Sequence, residues 1–213
     1  MLGSTNPASY HEGISIYSGN PAIEALPEIL DEDAAIAQLE FYPDFDPAER
    51  KLPAHLRLHL IQLASDLFVV LSAHLDLEQR ISRMIRGGYR ARNPVAKGFC
   101  KRVNQKVEAV RSQRKARRRN RSKPSGFTVL GLSGVGKTTC MQEILDLYPQ
   151  VIYHSSYKGR NMTETQLVWL ILECPADGSV KGLCLNFFRL LMTSWARTTT
   201  RHMPQMDAEL LTS

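Results

Sequence analysis

The stretch that decides the fold runs from Phe127 to Thr139 and reads FTVLGLSGVGKTT. Its first four residues, 127–130, are apolar and β-prone and stand between two glycines, which predicts a short buried strand. From Thr139 to Leu147 the apolar residues recur at helical spacing and stop before Pro149, which predicts a helix. The residues between them follow the pattern GxxxxGK[ST], and a place between strand and helix is the context that this pattern requires.

The loop has the chemistry of a phosphate-binding site. Glycine permits the backbone angles that turn successive N–H groups toward phosphate oxygens, and the following helix offers its N-terminus to the same anion. We expect Lys137 to reach the β- and γ-phosphates of a nucleotide and Thr138 to place its hydroxyl on Mg²⁺. The alternative is a glycine-rich turn that matches the pattern by chance. The predicted nucleotide-binding residues are Gly131, Ser133, Gly134, Val135, Gly136, Lys137, Thr138 and Thr139.

Composition excludes several classes of protein. The chain has 213 residues, of which 43% are apolar, so it is neither collagen-like, mucin-like nor wholly disordered. Its four cysteines form no CxxC pair, so no disulfide framework or zinc knuckle is indicated. The N-terminus lacks the basic start and the apolar core that a signal peptide has. Charged residues interrupt the most apolar stretch of the sequence, so it is not expected to span a membrane. These features predict a cytoplasmic protein that does not span a membrane.

Charge is distributed unevenly along the chain. Residues 1–50 hold ten acidic side chains and one basic one, whereas residues 101–123 hold eleven basic side chains and one acidic one. A segment of this charge attracts polyanions, above all nucleic acid, so DNA is the predicted partner. The alternative is a solvated linker whose charge prevents aggregation.

Turn signals and periodicity divide the chain into five segments. Asp31 is expected to cap one short helix, about 31–40, in a proline-rich arm. Helical spacing from Leu56 to Leu71, and again over about 75–86 up to Gly87 and Gly88, predicts a helical hairpin. The predicted segments are an acidic arm (1–53), a helical hairpin region (54–100), a basic helix or linker (101–126), a partial P-loop domain (127–191) and an aberrant or disordered tail (192–213).

Later runs are consistent with more of a sheet. Val151 to His154 and Leu167 to Cys174 are predicted to be strands, and Leu183 to Leu191 a helix. Glu173 ends the second run, and a hydrolysing P-loop enzyme needs an acidic residue at such a position to hold Mg²⁺. A structural role for this glutamate is the other interpretation. His55 and His59 have a spacing that can hold zinc, but ordinary helix packing is the simpler hypothesis.

Longer stretches of the sequence resemble the TniB/TnsC family of AAA+ transposition ATPases. The resemblance covers roughly 16–191, and its more specific parts are the CPADGS and KGLCLNFF residues and the HLRL, RISRMIR and RNP residues. It implies an α/β fold, a partial P-loop NTPase (AAA+) core preceded by a mainly helical N-terminal region. Gly131, Gly134, Gly136 and Lys137, followed by two threonines, match the family's Walker A loop.

The same resemblance implies a function. Family members regulate DNA transposition: they bind ATP and Mg²⁺, assemble as homo-oligomers on DNA, and act with a DDE-type transposase and a target-selection protein. The resemblance ends near Leu191, before the family's Walker B carboxylates and arginine finger, so we expect a C-terminally truncated, hydrolysis-deficient ATP-binding protein. Two other hypotheses remain open: a non-enzymatic DNA-binding module with a vestigial P-loop, and a small-molecule phosphotransferase.

Overall fold

The computed structural model describes residues 5–112 and 125–202. This part of the chain has an α/β fold, with helices and one small mixed sheet. Two short 3-10 helices, Pro47–Lys51 and Ile61–Ser65, lie between the longer elements. In chain order the other elements are β1 (Thr5–Pro7), α1 (Pro21–Glu24), α2 (Glu32–Leu39), α3 (Ala54–Leu60), α4 (Ser72–Arg90), α5 (Phe99–Arg111), α6 (Lys137–Asp146), β2 (Val151–Tyr157), β3 (Arg160–Leu167) and α7 (Val180–His202).

These elements belong to two compact units. Among the described residues, the first unit takes 5–27, 93–112 and 148–202 and contains the sheet. We call it the sheet unit. The second, the helical unit, takes 28–92 and 125–147. Among residues 5–112 and 125–202, none of the helices combines the length and the apolar composition that a membrane span requires.

The sheet has the order β1-β2-β3. β1 pairs in parallel with β2, with Thr5 opposite Val151, and β3 pairs antiparallel to β2, with Val151 opposite Leu167. A two-residue turn joins β2 to β3, and both of its residues, Lys158 (φ 48°) and Gly159 (φ 75°), are left-handed. Two successive positive φ angles are typical of the hairpin turn that matches the twist of the flanking strands. The predicted strand at 151–154 is confirmed.

A cluster of buried apolar side chains holds the helical unit together. It brings Leu39 of α2 and Ile81 of α4 against Cys140 and Ile144 of α6, and Ile144 is fully buried. The predicted helix at about 31–40 is confirmed: Asp31 precedes α2, and its carboxylate accepts a hydrogen bond from the Ala34 amide at 2.8 Å. The predicted helix after the loop is confirmed as α6.

Two of the predicted strands are wrong. Residues 127–130 form no strand, and Leu130 is 87% exposed. β-Propensity produces a strand only where a neighbour supplies hydrogen bonds, and β2 is paired on its two edges by β1 and β3. The run from Leu167 to Cys174 leaves the sheet after its first residue. The Trp169 indole N–H donates to the Tyr148 carbonyl at 2.9 Å instead, so this side chain anchors the chain as it turns away.

The predicted helix boundaries also need correction. The first helix of the hairpin ends at Leu60, and its predicted apolar face is exposed at Leu56 and Ile61. α4 continues through Gly87 and Gly88 to Arg90, because the packing of its other residues outweighs the roughly 1 kcal/mol that a glycine costs a helix.

At the other end of the chain, α7 continues well past Leu191 to His202, where the sequence predicted an aberrant or disordered tail. No proline or glycine interrupts residues 183–202, so nothing in that stretch forces the helix to end. Residues 203–213 lie outside the described part of the chain.

Candidate functional site

The predicted phosphate-binding loop leads directly into α6. α6 begins at Lys137. At the start of this helix the Cys140 amide donates a hydrogen bond to the Gly136 carbonyl at 2.9 Å. Gly134 (φ 80°) and Gly136 (φ 81°) are both left-handed. An L-residue with a side chain rarely adopts this conformation, so the loop needs glycine at these two positions for its backbone path.

Lys137 folds back over the loop that precedes it. Its ammonium donates to the carbonyl of Gly131 at 3.0 Å and to that of Leu132 at 2.6 Å. A Cβ atom added to Gly131 would lie 3.3 Å from the Val135 side chain and 3.6 Å from the Lys137 stem. The close approach of backbone and lysine therefore also favours glycine at the first position of the motif.

The loop lies at the surface of the helical unit. Gly131 to Gly136 are exposed, as are Thr138 and Thr139, and Lys137 is half-buried. The first turn of any α-helix leaves backbone N–H groups without partners inside the helix, and the helix dipole adds partial positive charge there. The ammonium of Lys137 stands at the same helix end as these amides, so the loop concentrates hydrogen-bond donors and positive charge at one accessible place.

A cavity of about 430 Å³ lies beside the loop, within the helical unit. Its walls are largely apolar, and Asp76 and Arg80 form an ion pair of 2.7 Å on α4. At the start of α4 the His74 ring stacks on Phe68, with 5.4 Å between the ring centres. The lining residues are Leu71, Ala73, His74, Asp76, Leu77, Arg80, Phe127, Thr128, Val129, Leu130, Val135, Gly136, Lys137 and Cys140.

Sequence reasoning did not find the α4 side of this cavity. Leu71, Leu77 and Arg80 come about fifty to sixty residues before Gly131, and only the packing of α4 against α6 brings them to the loop. Residues 127–130 do line the cavity, but as irregular chain and not as the predicted strand. No local pattern in the sequence indicates this juxtaposition.

The residues that were considered as metal ligands are all exposed. Thr138 is exposed on the first turn of α6. Glu173 is exposed in an irregular segment, so it does not have the strand-end position that was expected of an acid holding Mg²⁺. His55 and His59 are exposed on α3. Within residues 5–112 and 125–202, no group of three or more His, Cys, Asp or Glu side chains is arranged to hold a metal ion.

The basic segment is described only in part. α5 covers Phe99–Arg111, with Lys101 and Arg111 exposed. The apolar side chains of Val103 and Val107 are exposed on the same helix. The most arginine-rich part, 113–124, lies outside the described residues. The described part is a helix with both charge and apolar side chains at the surface.

Comparison with known proteins adds no relative. No protein-family model matches the sequence, and a search of curated proteins finds no match. The residues and their geometry therefore carry the functional interpretation.

Proposed function

We propose that this protein binds ATP with Mg²⁺ through the loop at 131–139, binds DNA through its basic segment, and acts as a regulator of DNA transposition. One observation carries the nucleotide-binding part of the proposal: Gly134 and Gly136, both left-handed, precede Lys137 at the first position of α6. A loop of this shape directs backbone N–H groups, a helix N-terminus and one ammonium toward a single anion. A polyphosphate is the ligand that matches this set of donors.

The chain's own residues have defined tasks in this proposal. Lys137 exchanges the carbonyls of Gly131 and Leu132 for phosphate oxygens, and charge-assisted hydrogen bonds are the stronger kind. Thr138, next along the helix, would supply a hydroxyl to Mg²⁺. This hydroxyl would be one of the few ligands taken from the protein, because Mg²⁺ at such sites is held largely by substrate phosphates and water.

The cavity beside the loop fits the remainder of the nucleotide. Binding sites for flat organic groups are concave and mostly apolar, with a few polar groups that fix orientation. Leu71, Leu77 and Phe127 provide apolar wall, and the Asp76–Arg80 pair provides polar atoms. A base in this cavity would lie next to the loop that holds the phosphates, because Gly136 and Lys137 belong to both.

Calorimetry with MgATP tests the proposal directly. Wild-type protein is expected to bind, and Lys137→Ala to lose about tenfold or more in affinity, because a hydrogen bond to a charged group contributes about 1.5–3 kcal/mol and 1.4 kcal/mol is tenfold. Lys181→Ala removes an exposed lysine from α7 and serves as the matched control with unchanged affinity. Folded wild-type protein that ignores MgATP would overturn the proposal.

The second candidate function is a DNA-binding module whose P-loop no longer binds nucleotide. The contacts of the Lys137 ammonium with its own loop favour it, because those two hydrogen bonds compete with any phosphate. In this case DNA binding persists in wild type and in Lys137→Ala alike, without measurable ATP affinity. Neutralising arginines within 101–123 should then weaken binding to all DNA sequences and flatten its salt dependence. DNA affinity that is unaffected by those substitutions rules out the basic segment as the contact.

A further inference from the structure

The N-terminal residues 5–27 lie along the hairpin of β2 and β3 in the sheet unit. β1 adds a parallel strand to β2, and the Ala8 amide continues the pairing by donating to the Tyr153 carbonyl at 2.8 Å. Further along, Ile23 and Leu26 are buried. We call residues 5–27 the strap.

A chain of hydrogen bonds joins the strap to the hairpin through one buried imidazole. His154 of β2 is 2% exposed. Its Nδ1 lies 2.9 Å from the Tyr10 hydroxyl, and its Nε2 lies 2.9 Å from Oε1 of Gln166 on β3. Gln166 donates its amide N–H to the Ala22 carbonyl at 2.8 Å. The series of hydrogen bonds therefore begins at Tyr10 and ends at Ala22, and both of these residues belong to the strap.

This chain of bonds fixes the proton on the imidazole. The side-chain nitrogen of Gln166 faces the Ala22 carbonyl, so its oxygen faces the ring and must accept from it. Nε2 of His154 consequently carries the hydrogen, and Nδ1 accepts from the Tyr10 hydroxyl. Every polar atom of the neutral ring has a partner, and an added proton has only Nδ1 to bind.

The charged groups near the His154 ring do not make its protonated form the favoured one. Glu24 of the strap accepts from the Tyr157 hydroxyl at 2.7 Å and from the Gly19 amide at 2.6 Å, with Lys158 at 3.7 Å. Glu164 of β3 favours the protonated ring, but burial outweighs it and lowers the pKa of His154 below 6.5. α7 also packs against β2. Among the side chains of α7 that the structure describes, the charged ones are Lys181 and Arg189, and both are exposed.

We propose that the strap is a pH-sensitive device, held on the hairpin by neutral His154 and released when that ring is protonated. Release removes Tyr10 and Ala22 from the ring's surroundings and so admits water to the imidazolium. It also uncovers the edge of β2 that β1 occupies, beside the buried side chains of Val151 and Ile152. An uncovered strand edge is a template for pairing with another chain.

The direction of the pH effect follows from linkage. The released strap leaves His154 at its ordinary pKa of 6.5, and the attached strap holds it lower. The contribution of His154 to attachment is therefore constant well above pH 6.5 and weakens as pH falls from 6.5 toward the lower pKa. Within that window the equilibrium constant for release rises by up to about tenfold for each unit by which the pH is lowered.

Amide hydrogen exchange of the whole chain, read by mass spectrometry and corrected for intrinsic rates, tests this. At about pH 5 the peptides that cover the strap and β2 should exchange faster than at about pH 7.5. His154→Gln keeps an N–H for Gln166 and does not titrate in this range, so its exchange should not depend on pH. His55→Gln, at an exposed position, is the control and should behave as wild type. Equal pH dependence in wild type and His154→Gln would overturn the proposal.

A second measurement covers the case in which His154→Gln does not fold. NMR titration of wild type should show the His154 imidazole with a pKa below 6.5. Tyr10→Phe should loosen the strap at neutral pH, because Nδ1 of His154 loses its donor. A His154 pKa at or above 6.5 would also overturn the proposal. Neither readout involves ATP or DNA, so the outcome is independent of the proposed function.

Discussion

The ammonium of Lys137 lies 2.6 Å from the carbonyl oxygen of Leu132, five residues earlier in the chain. A lysine reaches a backbone oxygen at this separation only if the loop between them curls around its stem. Two left-handed glycines produce that curl. The same curl places the ammonium near the N-terminus of α6, so the conformation of the loop decides where this positive charge lies.

Gly136→Ala should therefore destabilise the loop. A Cβ atom at this position meets nothing within 4 Å, so the cost is backbone strain alone, about 1–2 kcal/mol for a left-handed L-residue. We expect a lower urea midpoint and weaker MgATP binding. Gly126→Ala, where a Cβ also meets nothing and φ is not positive, is the control. A loss of stability as large in the control would contradict the strain explanation.

Gly87→Ala should have the opposite effect. Gly87 is inside α4, its φ is not positive, and an added Cβ meets nothing within 4 Å. Alanine favours a helix interior by about 0.8–1 kcal/mol over glycine. Urea unfolding should show this gain. A loss would mean that Gly87 is needed for something other than the helix.

Ile144→Ala should remove part of the core of the helical unit. Ile144 is 0% exposed and packs in the cluster with Leu39 and Ile81. Truncation of a buried isoleucine to alanine costs about 2–5 kcal/mol, so the urea midpoint should fall sharply. Leu58→Ala, at a position that is 65% exposed in the same unit, should stay within about 0.5 kcal/mol of wild type. Equal losses would show that the two positions are packed alike.

Cys140 should resist alkylation in the native protein. Burial, with a smaller contribution from the Glu143 carboxylate, raises the pKa of its thiol, and the thiolate is the reactive form. Cys100, Cys174 and Cys184 are exposed. Iodoacetamide at neutral pH should modify those three alone, and all four after denaturation, as peptide mass spectrometry would show. Native labelling of Cys140 at the rate of the others would place it at the surface.

Local signals predicted the elements that depend on neighbours in sequence. Asp31 begins α2 because its carboxylate satisfies an amide three residues later. Gly134 and Gly136 take the left-handed angles that glycine adopts at little cost. Side chains alternate between the two faces of a strand. His154 comes two residues after the buried Ile152, so the sequence could also have predicted that His154 points to the same face of β2.

Two of the three strand predictions failed, because a strand depends on a partner elsewhere in the chain. Residues 127–130 have the composition of a strand, but the neighbours of β2 are Thr5–Pro7 and Arg160–Leu167. Neither pairing segment was recognisable: β1 is three residues long, and β3 reads RNMTETQL, which is mostly polar. The hairpin turn at Lys158 and Gly159 makes β3 the adjacent strand, since chain connectivity outweighs the polarity of its residues.

By itself, the sequence determined the loop that holds Lys137, the helix that follows it, the cap of α2 and the charge of the basic segment, because each depends on residues a few positions apart. Tertiary structure alone decided which segments form the sheet, that α4 supplies the wall beside the loop, and that Tyr10 meets His154 across 144 positions. Those outcomes depend on which surfaces exclude water together, and no short stretch of chain contains that information.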